Sequence, residues 1–135
     1  MTGAPLYDFL ADDGGLLQIL SNTRAGVYVA DRDLRMLYVN ESLRRLLDRE
    51  LDDIIGKTLL EVFPENGHEY ATNARSVLDK EQPLDFEETF HYRGKDFTIV
   101  SQKFPLRDRD GNIYGIGGIS SDITAYLQRE ATLYE

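Results

Sequence analysis

The chain of 135 residues contains no cysteine. That absence removes disulfides, thiolate zinc sites, a thiol nucleophile and cysteinyl photo-adducts, and it fits a reducing compartment. Long apolar runs are missing too. No stretch approaches the roughly 20 residues needed to span a bilayer, and the N-terminus lacks the basic flank and apolar run of a secretory leader. The chain is therefore expected to be soluble and cytoplasmic, with no membrane contact of its own. Positive charge is the scarcer sign: 15 Lys and Arg stand against 24 Asp and Glu, for a net charge of -9. Residues 51–100 alone hold 5 basic and 11 acidic side chains. Such a chain repels phosphate backbones and anionic headgroups, so nucleic acid is not an expected partner.

Catalytic patterns are equally sparse. Gly115-x-Gly117-Gly118 falls inside an expected strand, not between a strand and a helix where a phosphate loop belongs. The paired carboxylates Asp52-Asp53 and Glu87-Glu88 read as solvated surface charges, since neighbours on a strand point to opposite faces. His68 has Glu65 and Glu69 nearby, but this cluster reads as an exposed turn, and no metal site is expected. His91 alternates with Phe90 and so should face away from the core.

What the sequence does have is 41% apolar residues, enough for one continuous core in one domain. Leu16, Leu17, Ile19 and Leu20 form a helical stripe after Gly14-Gly15, which reads as a break from a weaker helix over 5–11 (Leu6, Phe9, Leu10). Gly26-Val-Tyr-Val-Ala-Asp31 and Leu34-Arg-Met-Leu-Tyr-Val-Asn40 read as a hairpin, with Asp31-Arg32-Asp33 as the turn. Asn40 is placed to cap a helix over 41–47. A short turn over 50–55 ends at Gly56, and Pro64 stops the apolar segment after it. The longest helix is expected over 67–80, with Tyr70, Ala74, Val77 and Leu78 on one face. The period then changes to two: Leu84, Phe86, Phe90 and Tyr92 alternate with polar residues. Turns at Arg93-Gly94 and Asp108-Arg-Asp-Gly-Asn112 complete a three-stranded meander. Ile123, Tyr126, Leu127, Ala131 and Tyr134 fall on one face of a last helix. The fold class is therefore α+β: two strands, a helical insert and three strands, joined in one antiparallel five-stranded sheet with helices on one face.

This order of elements resembles the PAS domain, a sensory and dimerisation module of signalling proteins. The resemblance covers roughly residues 15–135 and rests on four features: the first hairpin ending in Asn40, the segment Leu51-Asp-Asp-Ile-Ile-Gly-Lys-Thr-Leu-Leu-Glu-Val-Phe-Pro64, the Asp108–Asn112 turn before a glycine-rich strand, and Asp122-Ile123-Thr124 at the exit. It implies an N-terminal flanking helix over 1–24, a core over 25–124 and the start of a connector helix over 125–135. It also implies a pocket between insert and sheet, walled by Val29, Leu37, Phe63, Tyr70, Ala74, Phe86, Phe97, Ile99 and Ile116, with no polar group placed in it. A filled core is the competing expectation for those residues.

The flanks carry the implied signalling. Leu16, Leu17, Ile19, Leu20, Tyr126 and Leu127 are the candidate homodimer interface. Asp122, Ile123 and Thr124 are the candidate relay, with Asp122 capping the exit helix or pairing with a base such as Lys57. The last stripe has no helix stop signal, so a downstream effector is expected: a histidine kinase, a diguanylate cyclase or a transcriptional regulator. The domain itself is expected to be non-catalytic and to bind an unidentified small molecule. The alternatives are a ligand-free dimerisation module and a small α+β enzyme. No cofactor is expected. Haem stays open although His68 lies earlier than the family's usual iron ligand, and so does a non-covalent flavin.

Overall fold

A computed structural model describes residues 14–122 and Arg129 of the chain. The expected helix over 5–11, the relay residues Ile123 and Thr124, the interface candidates Tyr126 and Leu127, and the rest of their stripe lie outside the described residues. Helix α1 runs Gly14–Asn22. Gly14 and Gly15 belong to its first described turn, and the expected break between them and a helix over 5–11 lies outside the described residues.

Strands β1 (Gly26–Asp31) and β2 (Met36–Val39) form the first hairpin. The second strand starts later than the apolar run suggests, because the Asp31 carboxylate accepts from the backbone N–H of Asp33 and of Arg35 and draws those residues into the turn. Asn40 caps helix α2 (Glu41–Leu47), its side-chain oxygen accepting from Leu43 N at 3.1 Å. A 3-10 turn over Leu51–Asp53 leads to Gly56, whose φ of 85° is one a side chain would resist. Helix α3 (Leu59–Val62) opens with a capping box between Thr58 and Glu61, and α4 spans Gly67–Lys80 as its periodicity predicts.

Strands β3 (Leu84–Tyr92), β4 (Lys95–Arg107) and β5 (Ile113–Asp122) complete one antiparallel sheet of order β2-β1-β5-β4-β3. The two ends of the chain meet where β1 pairs with β5, from Gly26 opposite Ser120 to Asp31 opposite Gly115. The insert lies over the inner face, with Tyr70, Ala74, Val77 and Leu78 of α4 in the core beside Tyr28, Ala30 and Ile116 of the central strands.

Register against β5 sets which residues of β1 face inward. Tyr28 stands opposite Gly118 and Ala30 opposite Ile116 on the core side. Val29, expected in the pocket wall, is half-buried on the opposite face, opposite Tyr38. The β1–β2 register slips between Val29 and Ala30, and Leu37 at that irregularity is buried outside the main core.

Candidate functional site

Between the insert and one end of the sheet lies a cavity of about 110 Å³. Leu43 and Leu46 of α2, Leu59 of α3, Phe63 and Tyr70 of α4 form its helical side; Phe90 and Ile99 close it from the sheet. The Phe63 ring meets Tyr70 edge-on at 5.2 Å between centroids and Phe90 at 6.4 Å. Of the nine residues expected in this wall, Phe63, Tyr70 and Ile99 are there. Ala74 and Ile116 are fully buried in the filled core, and Phe86 and Phe97 pack on its edge without reaching the cavity. At this size the cavity is well below the roughly 300–1,000 Å³ of drug-sized sites. It is also too small for haem or flavin.

The wall also carries polar groups, none of which the sequence had placed there. Glu88 is buried, not solvated: β3 turns Phe86, Glu88 and Phe90 to the same inner face. Lys103 of β4 is buried on that face as well, and its Nζ lies 3.4 Å from the Glu88 carboxylate. The ammonium also donates to Ser101 Oγ at 2.9 Å and to the Tyr28 hydroxyl at 3.1 Å. From α4, Asn73 Nδ2 donates to Glu88 Oε2 at 2.7 Å. The Lys103 charge further sits 5.4 Å from the Tyr28 ring centroid and 5.6 Å from that of Tyr70. The Tyr70 hydroxyl donates to Thr89 O at 2.8 Å. Burial, with the Glu88 and Glu69 charges adding to it, pushes that phenol well above its ordinary range.

Gly118 makes the arrangement fit. Tyr28, Gly118 and Lys103 are consecutive partners across β1, β5 and β4. A Cβ at 118 would run into the Tyr28 ring, so glycine lets that ring lie over β5 and bring its hydroxyl to Lys103. The missed signal is phase: Glu88 falls between Phe86 and Phe90, and Lys103 is in step with Ile99 and Ser101 on the adjacent strand.

The mouth of the cavity belongs to the flanks. Arg24, between α1 and β1, lines it together with Ser120 and Asp122 at the end of β5. Asp122 pairs with Ile99 across the sheet, whereas Lys57 O accepts from Met36 N beyond the far end of β1. The expected Asp122–Lys57 pairing is therefore ruled out by the sheet's length. Of the interface candidates on α1, Ile19 is 68% exposed, Leu16 and Leu20 are half-buried, and Leu17 lines a groove with Tyr38 and Arg44. The last turn of α1 is tied down by Asn40, whose Nδ2 donates to Leu20 O at 2.8 Å and to Ala25 O at 2.9 Å.

The other candidates lie away from the cavity. His68 is exposed, while Tyr70 and Ala74 of its helix face the core. Asp52, Asp53 and Glu87 are exposed as expected. His91 is partly exposed; its Nδ1 lies 2.6 Å from Asp96, and Glu65 is 3.6 Å from Nε2. The Asp96 hydrogen bond, with Glu65 beside it, raises the imidazole above its usual range. No group of three or more metal-ligating side chains occurs among the described residues, and no helix among them is long and apolar enough to cross a membrane.

Comparison with known proteins agrees with this architecture. The transcriptional activator RocR of Bacillus subtilis (strain 168) is 23% identical over 107 residues, 78% of this chain and 23% of RocR. The chain thus spans under a quarter of that relative's length. The PAS domain of Bordetella pertussis BvgS superposes with a TM-score of 0.72 at 23% identity, covering 90% of this chain and 95% of that one. The Vibrio cholera VqmA–ligand–DNA complex superposes with a TM-score of 0.69 at 17% identity, covering 90% and 59%. At these identities the structural likeness speaks for the fold alone. A family model described as PAS fold matches residues 20–127, most of the chain and all five strands, and the chain belongs to that family.

Proposed function

We propose that this chain is the sensory part of a signalling protein: a small molecule occupies the cavity, and its presence is passed to the two flanking segments. The observation that carries the reading is the composition of the cavity mouth. Arg24 stands where the N-terminal flank joins the sheet, and Ser120 and Asp122 stand where the sheet ends. A bound molecule therefore touches both junctions directly, and any preference for one arrangement of the flanks shifts the population between arrangements. The domain itself does no chemistry in this reading. Similarity to RocR supports a transcriptional regulator as the output, ahead of a histidine kinase or a diguanylate cyclase. Exclusion of nucleic acid, expected from the net charge, does not extend to the protein that carries the domain, since VqmA of the same fold occurs in a ligand–DNA complex.

The test is thermal unfolding of the full chain and of Ile99→Trp against a panel of metabolites, the bulky ring at 99 filling the cavity. Compounds that raise the wild-type Tm and leave Ile99→Trp unmoved support the reading; stabilisation that is equal in both proteins defeats it. Homodimerisation through the flanks is proposed alongside, on the exposure of Ile19 from α1 and the existence of a VqmA dimer. Ile19→Asp should weaken self-association in sedimentation equilibrium, and an unchanged mass would remove α1 from the interface.

A further inference from the structure

The hydrogen-bond inventory of the cavity wall limits what it can hold. The ammonium of Lys103 has three N–H donors, and three acceptors meet it: Tyr28 Oη, Ser101 Oγ and the Glu88 carboxylate. Glu88 is met in turn by Lys103 and by Asn73. Both charges are buried and already matched, so an anion would have to strip Lys103 from its partners and a cation would have to strip Glu88. Neither exchange is favourable in a site this dry. Arg24 and Asp122 at the mouth are exposed, where water and salt screen their selection of a charged ligand.

One buried hydrogen-bond donor of the lining stays available. The Tyr28 hydroxyl accepts from Lys103, and its own O–H proton meets no acceptor among the described residues, although Tyr28 is buried and lines the cavity. Accepting a bond from a cation polarises that O–H and makes it a stronger donor. The Phe63, Tyr70 and Phe90 rings line the same cavity. Resting on the reading of the cavity as a ligand site, we infer that it takes an uncharged molecule of about one ring that presents a single hydrogen-bond acceptor, a carbonyl or ring nitrogen, to the Tyr28 hydroxyl. Charge neutrality is the selection rule, and the phenol sets the orientation.

Four one-ring probes separate the possibilities: acetophenone (neutral, one acceptor), ethylbenzene (neutral, no acceptor), benzoate and benzylamine. Each is titrated into the full chain with the methyl groups of Leu43, Leu59 and Ile99 followed by NMR. Acetophenone should shift these methyls and bind more tightly than the other three. Tyr28→Phe should cost acetophenone about tenfold in affinity, the order of one charge-assisted hydrogen bond. It should leave ethylbenzene unchanged, which also reports that the variant's cavity is intact. If benzoate or benzylamine binds at these methyls more tightly than acetophenone, or if Tyr28→Phe binds acetophenone as well as wild type does, the ligand class is wrong and the cavity reading survives. If none of the four moves these methyls, both fall.

Discussion

The buried Glu88–Lys103 pair makes the sharpest energetic prediction. Their side chains are 1% and 2% exposed and their charged groups 3.4 Å apart. At an effective dielectric of about 20 the gross attraction is ~5 kcal/mol, and removing two ions from water takes back most of that. The net worth of the pair is therefore small, whereas the cost of orphaning one member is large. Lys103→Met leaves Glu88 with Asn73 as its one remaining partner and should cost about 3–5 kcal/mol. Glu88→Leu should cost less, because Lys103 keeps Tyr28 Oη, Ser101 Oγ and two aromatic faces. The double variant should be milder than Lys103→Met alone, at about 1–3 kcal/mol, since only neutral groups then lack a partner. Urea unfolding reads all three. With an m-value of about 1.5 kcal/mol per molar, Lys103→Met should lower the midpoint by roughly 2–3 M. A loss below about 1 kcal/mol for Lys103→Met, or a double variant equal to the sum of the singles, would falsify this account of the pair.

Asn40→Ala should cost about 2–4 kcal/mol, more than the 0.5–2 of an ordinary cap, because the amide also accepts from Val27 N and donates to Leu20 O and Ala25 O. Asn40→Asp keeps the acceptor and should fall between, an order that denaturant titration checks. Gly118→Ala drives a methyl into the Tyr28 ring and should destabilise by about 1–3 kcal/mol; an unshifted set of Tyr28 ring resonances would contradict that. His91 should titrate above about 6.5 by NMR, and Asp96→Asn should bring it back down. Because the folded value is raised, the stability from this contact is complete below the unfolded pKa and is lost as pH rises through the folded one. A His91 titration indifferent to Asp96→Asn would mean the hydrogen bond does not form in solution.

Much of the fold was legible because its signals are local. Asn40 before a helical stripe, the 67–80 periodicity and the glycine turns each name one conformation. The pocket wall was less legible for two separate reasons. In β1 four consecutive residues, Val27 to Ala30, are apolar, so alternation carries no phase there, and only the pairing of Tyr28 with Gly118 decides which side faces in. In β3 the phase was plain, but the chemistry of Glu88 argued for solvent and overrode it. Burial followed the phase because β4 brings an opposite charge at Lys103 to the same layer. Two opposite charges, each in step with the apolar side of its own strand, are the pattern to look for.

One buried amide connects the cavity mouth to the flank. Arg24 lies within the segment that Asn40 holds, since its side chain grips Leu20 O at the end of α1, Ala25 O just past Arg24, and Val27 N in β1. Ser42, the second residue of α2, adds a hydrogen bond to Thr23 O and itself lines the cavity. On the proposed reading, an occupant that displaces residues 23–26 cannot do so gradually. Asn40 is buried and its bonds run 2.8–3.0 Å, so a partial displacement leaves polar groups without partners, at a cost comparable to a full bond each. Such a joint prefers two discrete settings over a continuum. It follows that Asn40→Ala, beyond its effect on stability, should make the position of α1 insensitive to what the cavity holds. Spin-label distances between α1 and β3, measured with and without a cavity-binding compound, would reveal this: two resolved populations in wild type, and one broad distribution in the variant.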